Sequence, residues 1–207
     1  MKKIVYLGLF MGMVLNCISA YAGSKEDPKL CVLAQKGKLC FIEFDYSNLM
    51  VEGYKLSDYL RTQTDSKDHE AEWNEQILEM EVKFRETFSD ENKKGAKLVL
   101  NGDYDYKILV HMNNIELGST GKNIAKTIIG FGGSKKGGSK FNGTIDIIEK
   151  STNEIITTYP FDFTAKTGSG GIKTMVRGFS EYSRLRAGYV QLAEMLVKSA
   201  QKAYKSK

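Results

Sequence analysis

The sequence predicts an α+β fold, in which helices pack on one face of a mostly antiparallel sheet. Two observations support this prediction. Several stretches alternate between apolar and polar residues, which is the period of a half-buried strand, and two others repeat apolar residues at helical spacing. Their order along the chain is strand, helix, strands and helix, without an internal repeat. Helices layered on a sheet bury the apolar sides of both kinds of element.

The first strand is predicted over residues 38–47, where apolar and polar residues alternate. Its apolar side comprises Cys40, Ile42, Phe44 and Tyr46. A short helical piece follows at residues 56–62, and the polar stretch Gln63–His69 is predicted to be a loop.

The clearest helix lies between residues 73 and 88, because its apolar residues recur at steps of three and four. This stripe comprises Trp73, Ile77, Met80, Phe84 and Phe88. Gly95 follows shortly after, where a helix stop is expected. A stripe of this kind is typical of a core-facing helix.

Strands are predicted through the middle of the chain. One apolar parity runs from Leu98 to Met112 and then changes phase at Ile115, which predicts a β-bulge near residues 113–114. A hairpin centred on Thr152 would place Phe141 opposite Phe163, and Ile145 opposite Tyr159. The last element is a helix whose apolar stripe comprises Leu185, Tyr189, Leu192 and Leu196.

The first 22 residues have the pattern of a secretory signal peptide. Lys2 and Lys3 precede an apolar run, and a small-residue site places the predicted cleavage between Ala22 and Gly23. Residues 23–207 then form one domain in the periplasm or outside the cell. Cys17 offers an alternative, in which the protein is an outer-membrane lipoprotein carrying its lipid on that residue. The mature chain has a net charge of only +3, and with export this argues against nucleic acid as a partner.

Cys31 and Cys40 remain in the mature chain, nine positions apart. Cysteine pairs in small exported proteins often form disulfides, so we expect a bond between these two. The alternative is two unpaired, buried thiols.

Candidate catalytic and metal-binding residues are few. His69 and His111 have no second histidine or cysteine at metal-ligand spacing. Asp103 and Asp105 share one face of a predicted strand, which would suit acid–base chemistry, although carboxylates on a solvated face are the more common case. We therefore expect no cofactor, no metal and no enzymatic activity.

The segment 118–140 combines glycines and lysines with an apolar island and has no acidic residue. Flexible backbone, unopposed positive charge and apolar side chains together are typical of a contact surface. The candidate contact residues are Lys122, Lys126, Ile128, Ile129, Phe131, Lys135, Lys136 and Lys140. The stretch 167–178, also rich in glycine, is a second candidate. The alternative is a solvated connection between two strands.

Three stretches give the chain a resemblance to uncharacterised bacterial envelope proteins over about residues 40–205. They are a strand with the sequence GDYDYKILV (102–110), a glycine-rich turn GFGGSKKG (130–137), and a hairpin beginning GTIDIIE (143–149). A closing helix containing Arg186-Ala187-Gly188-Tyr189 completes the pattern. The fold so implied is similar to the amino-terminal domain of TolB, to CsgG-like periplasmic domains and to penicillin-binding-protein activator lipoproteins.

That resemblance implies docking or self-assembly rather than catalysis. The sequence therefore predicts an exported interaction or assembly module of the bacterial envelope, with an envelope protein or a second copy as its partner. Two alternatives remain: a protein that binds membrane surfaces or polysaccharide, and a hydrolase with an unrecognised site. The identity of the partner and the oligomeric state have no signature in the sequence.

Overall fold

A computed structural model describes residues 27–62, 68–118, 138–165 and 181–207. The predicted signal peptide, its cleavage site at Ala22 and Gly23, and Cys17 lie outside these residues. The described helices are a 3-10 helix (Pro28–Ala34), α1 (Leu56–Arg61), α2 (His69–Glu91) and α3 (Glu181–Lys205). The described strands are β1 (Leu39–Asp45), β2 (Met50–Val51), β3 (Tyr54–Lys55), β4 (Lys97–Leu98), β5 (Tyr106–Glu116), β6 (Lys140–Glu149) and β7 (Glu154–Thr164).

The sheet is mixed, so the α+β prediction is confirmed, while the mostly antiparallel arrangement is not confirmed. Strands β5, β6 and β7 pair antiparallel in chain order. Strand β1 instead pairs parallel with β5 over residues 40–45 of β1, and β4 and β2 also make parallel pairs. A parallel pair needs a long crossover connection, and the chain between β1 and β5, which contains α2, supplies it.

The predicted hairpin and bulge are both confirmed. Phe141 pairs with Phe163 and Ile145 pairs with Tyr159 across β6 and β7. The register of β5 against β6 shifts between Met112 and Asn114, which returns Ile115 to the buried face. The long strand predicted from Leu98 is shorter than expected, because β5 begins only at Tyr106 and Leu100 is exposed.

Helices α2 and α3 pack on one face of the sheet. All five apolar residues of the predicted α2 stripe are buried, and so are the four of the α3 stripe. Phe44 of β1 makes an edge contact with Phe84 of α2, at 5.2 Å between ring centroids, and a tilted contact with Tyr189 of α3 at 5.8 Å. One continuous core therefore joins β1 to both long helices.

The end of α2 is fixed by a buried polar side chain. Asn92 is 4% exposed, and its amide group donates to the carbonyl oxygens of Leu33 at 2.9 Å and Ala96 at 3.1 Å. Gly95 lies against this amide, since a Cβ there would come within 2.3 Å of Asn92 Oδ1. The glycine predicted to stop the helix is thus also required by close packing.

The expected disulfide is not formed, and the alternative of two buried thiols holds. Cys31, in the 3-10 helix, and Cys40, in β1, are both free and buried. The Cys40 thiol donates to the carbonyl oxygen of Lys97 at 3.6 Å, so it is directed at β4. Burial raises the pKa of Cys40 to about 12, which keeps this thiol protonated at neutral pH.

Among the described residues, no helix combines the length and the apolar character needed to cross a bilayer.

Candidate functional site

One end of the sheet brings together the described residues that border the stretches 119–137 and 166–180, which contain most of the two predicted contact segments. Glu116 pairs with Lys140, and Lys140 pairs with Thr164, so β5 ends and β6 begins where β7 ends. Helix α3 begins at the same place, because the Arg184 Nε donates to the carbonyl oxygen of Leu117 at 2.6 Å. We call this region the basic sheet end and define it by Leu117, Ser139, Ala165 and Arg184.

A buried arginine holds the basic sheet end together. Arg184 is 2% exposed, and the Leu117 carbonyl that it contacts also accepts a bond from the Ser139 hydroxyl at 3.1 Å. The Leu117 amide donates to the Glu52 carboxylate at 2.5 Å. Buried charged groups destabilise a fold unless they are hydrogen-bonded. The contacts of Arg184 with Leu117 therefore fix the start of α3 to the end of β5.

The borders of the two segments also touch each other directly. The Ala165 amide donates to the Ser139 carbonyl oxygen at 2.8 Å. A Cβ on Gly138 would lie 1.8 Å from the Ala165 carbonyl oxygen, so only glycine fits at this approach of the two chains. Residues 119–137 and 166–180 therefore start and end within one small region.

The two segments have the same unusual charge composition. Residues 119–137 contain four lysines, residues 166–180 contain two lysines and one arginine, and neither contains an acidic residue. The described residues, by contrast, carry a net charge of −4. The two segments thus carry seven positive charges between them, opposite in sign to the net charge of the described residues.

Most of the predicted contact residues lie outside the described part of the chain. These are Lys122, Lys126, Ile128, Ile129, Phe131, Lys135 and Lys136. Lys140 is described: it lies in β6, with its ammonium 3.7 Å from the Glu116 carboxylate and its side chain 43% exposed. Arg184 could not be predicted from the sequence, because its local pattern does not differ from that of Arg186, which is exposed.

The opposite end of the sheet carries a polar cleft of about 390 Å³ that Asp103 and Asp105 line. Lys150 pairs with Asp103, and Lys38 pairs with Asp105 at 2.9 Å. The Lys38 ammonium and the Leu39 amide hold the pKa of Asp105 below its usual range, and the Lys150 ammonium does so for Asp103. Both carboxyl groups are thus kept ionised by ion pairs, which is the arrangement of a structural pair rather than of a general acid.

His111 is not part of that cleft, and it bridges two strands. Its Nδ1 lies 2.8 Å from Asp45 Oδ2 in β1, and its Nε2 lies 3.3 Å from Asp146 Oδ2 in β6. Both ring nitrogens of His111 are thus in contact with carboxylates. Within the described ranges, no group of three or more histidine, cysteine, aspartate or glutamate side chains has the arrangement of a metal site.

Comparison with known proteins gives only remote likenesses. No family model matches the chain, and no curated protein matches it. Among solved structures, it is similar to protein XCC0632 from Xanthomonas campestris, of the DUF330 family model, with a TM-score of 0.43 and 10% identity over 83% of this chain and 90% of that one. PelC from Paraburkholderia phytofirmans, which was solved as a dodecamer, gives a TM-score of 0.39 and 8% identity over 81% and 88% of the two chains.

A third solved structure is a putative neuraminyllactose-binding hemagglutinin homolog from Helicobacter pylori. Its TM-score is 0.37 and its identity 8%, over 91% of this chain and 97% of that one. At such values none of these proteins assigns the chain to a family. The resemblance to TolB and CsgG-like proteins stays unconfirmed.

Proposed function

We propose that this protein is an exported, non-enzymatic interaction module of the bacterial envelope, which binds an anionic partner protein through the basic sheet end and its two segments. One observation carries the proposal: the described residues bring the borders of both basic segments to the same end of the sheet. A common border would let two segments that are separate in the sequence meet one partner.

Charge supports an anionic partner. Seven basic residues without an acidic neighbour in either segment would produce a positive potential at one end of a body whose described residues are net negative. Such a potential accelerates encounter with an anionic surface and orients the protein as it approaches. The association should then weaken as salt rises, since exposed charges are screened over about 8 Å at physiological ionic strength.

The arrangement of the carboxylates supports a role other than catalysis. Asp103 and Asp105 are held by lysines, and His111 is held between two aspartates. The His111 contacts join β5 to β1 and β6, and the two lysine–aspartate pairs join the ends of strands. Both are structural uses of charged side chains.

The composition of segment 119–137 also fits a second candidate, an anionic membrane surface. Four lysines accompany Ile124, Ile128, Ile129 and Phe131, and lysines beside apolar side chains are what membrane-surface segments use. We favour a protein partner because both basic segments border the same sheet end, which gives a defined site rather than a single inserting stretch. The vesicle arm of the experiment below decides between them.

The experiment compares two variants that each lose four positive charges. In the first, Lys122, Lys126, Lys135 and Lys136 are all changed to Gln. In the matched control, the changes to Gln are at Lys198, Lys202, Lys205 and Lys207, at the far end of α3. Each tagged protein is cross-linked in intact cells and recovered, and each purified protein is sedimented with vesicles of neutral or anionic lipid.

The proposal predicts that a cross-linked partner protein is lost in the first variant and retained in the control. Loss of the partner in both variants, or in neither, would contradict it. Salt-sensitive sedimentation with anionic vesicles alone, without a protein cross-link, would establish the membrane candidate instead.

A further inference from the structure

The outer face of α2 has an apolar pair in an acidic surround. Leu78 and Val82 lie one helical turn apart, opposite the buried stripe, and are 63% and 47% exposed. Large apolar side chains on a solvent-facing helix surface do not contribute to the monomer core. Two of them in adjacent turns mark a contact site more often than isolated ones do.

The same helix is strongly acidic. Between His69 and Glu91 there are eight acidic residues and two basic ones, a net charge of −6. Both basic residues already have partners on the helix, Lys83 with Glu86 at 2.7 Å and Arg85 with Glu81 at 3.0 Å. The acidic residues of α2 are Glu70, Glu72, Glu75, Glu79, Glu81, Glu86, Asp90 and Glu91.

We propose that the outer face of α2, centred on Leu78 and Val82, receives the basic segment 119–137 of a second copy of this chain. This inference rests on the proposed function, and it names the anionic partner of the basic sheet end. The chemistry of the two surfaces is complementary: an apolar pair among carboxylates faces an isoleucine-containing stretch among lysines. Attraction between the charges would set the orientation, and burial of Leu78 and Val82 would add affinity.

The length of the segment is sufficient for contact between copies. Its 19 residues leave and re-enter the fold at the basic sheet end, so its tip can extend by about half of its contour length. At about 3.4 Å per extended residue this is roughly 30 Å.

Such a contact is heterologous, because different surfaces of the two copies meet. Each chain keeps one unused donor segment and one unused acceptor face, so assembly continues to a ring or a filament. This property gives the inference a sharp test, since two differently damaged copies can still form one contact between them.

Two variants are needed, both made in the chain that starts at Gly23. The acceptor variant carries Leu78→Ser, Val82→Ser and Glu75→Lys. The donor variant carries the four changes to Gln at Lys122, Lys126, Lys135 and Lys136. A control with Leu100→Ser removes an exposed apolar residue (68% exposed) that lies outside α2. Circular dichroism and thermal unfolding confirm that each variant is folded before its mass is measured.

Light scattering coupled to size exclusion at low salt gives the masses. We expect the unaltered chain and the Leu100→Ser control to form assemblies that grow with concentration and dissociate at high salt. Each damaged variant alone should be a monomer, and their equimolar mixture should form a dimer with one copy of each.

An unaltered chain that stays monomeric over the whole concentration range would overturn the inference, as would a mixture that stays monomeric. Docking of the segment on α2 of its own copy would give that monomeric result. The proposed function would survive either outcome if the envelope cross-link described above still depended on the lysines of the segment. If the mixed dimer formed but the envelope cross-link did not depend on these lysines, the result would contradict the envelope partner and support self-assembly.

Discussion

Substituting Gly188 with alanine tests how closely α3 packs on the sheet. A Cβ at this position would lie 2.0 Å from Cε2 and 2.1 Å from Cζ of Phe141, which is far inside van der Waals contact. The Phe141 ring is fully buried and cannot retreat freely, because Phe163 stacks on it at 5.5 Å and Tyr189 contacts its edge at 6.0 Å. The helix must therefore move away from β6, or the ring must leave its preferred position.

Two opposing effects set the magnitude. Replacing glycine by alanine inside a helix stabilises it by about 1 kcal/mol, whereas overpacking a filled core costs about 1–3 kcal/mol and sometimes more. With a ring held on two sides we expect the cost to be at the upper end, so that Gly188→Ala lowers the free energy of unfolding by about 1–2 kcal/mol. At about 2–4 °C per kcal/mol for a chain of this size, the Tm should fall by about 2–8 °C.

Chemical denaturation of the chain starting at Gly23 measures this change, and a double-mutant cycle identifies its cause. Phe141→Leu alone should destabilise the protein by loss of packing. In the double variant Gly188→Ala/Phe141→Leu, the alanine should cost less than it does beside phenylalanine, since the ring that it meets is gone. An increase in stability on Gly188→Ala, or additive effects in the cycle, would refute the packing of α3 on β6 described here.

Three further predictions concern stability and the thiols. Asn92→Ala should lower the free energy of unfolding by about 2 kcal/mol, because the carbonyl oxygens of Leu33 and Ala96 each lose the hydrogen bond that the Asn92 amide donates; a urea titration measures this, and no change would contradict it. A thiol reagent should find Cys31 and Cys40 unreactive in the native protein and both reactive in denaturant without reductant, whereas a disulfide would leave none reactive. Hydrogen bonds from Ser47 and His111 lower the pKa of Asp45, and Lys38 lowers the pKa of Asp105. Each shift stabilises the folded protein above about pH 4, and this contribution is lost as the pH falls through the folded pKa. Tm measured from pH 6 to pH 2 should therefore decrease at the acidic end, and less so in Asp105→Asn.

The elements that the sequence predicted correctly are those whose pattern depends on local geometry. The α2 and α3 stripes follow from the 3.6-residue period, and the β6–β7 register follows from the turn at residues 151–153 together with cross-strand pairing of Phe141 and Phe163. The bulge before Ile115 was visible as a change of phase.

The direction of β1 had no such local signal. Alternation of apolar residues is the same in parallel and antiparallel strands, so residues 38–47 predicted a strand but not its parallel partner. The long helical stretch between the two strands was the available indication, because only a crossover of that length joins parallel neighbours. The disulfide was predicted from composition and compartment, and the structure instead directs Cys40 at the Lys97 carbonyl.

Part of the candidate site could likewise be predicted from the sequence, and part could not. Composition identified the glycine- and lysine-rich segments, since charge and flexibility are properties of the sequence itself. That both segments border one sheet end depends on long-range contacts of Arg184 with Leu117 and of Ala165 with Ser139. The Arg184–Leu117 contact joins residues 67 positions apart, and no periodicity reports it, whereas the Ala165–Ser139 contact continues the hairpin register that pairs Phe141 with Phe163.

Site-specific photo-cross-linking in living cells tests the central claim most directly. A photoreactive residue is placed at Lys126 in one basic segment, at Lys173 in the other, and at Ile155, near the opposite end of the sheet and 56% exposed. If the basic sheet end is one contact surface, positions 126 and 173 should capture the same partner protein, and position 155 should not. Capture from Ile155 alone, or different partners at Lys126 and Lys173, would contradict the claim that the two segments act together.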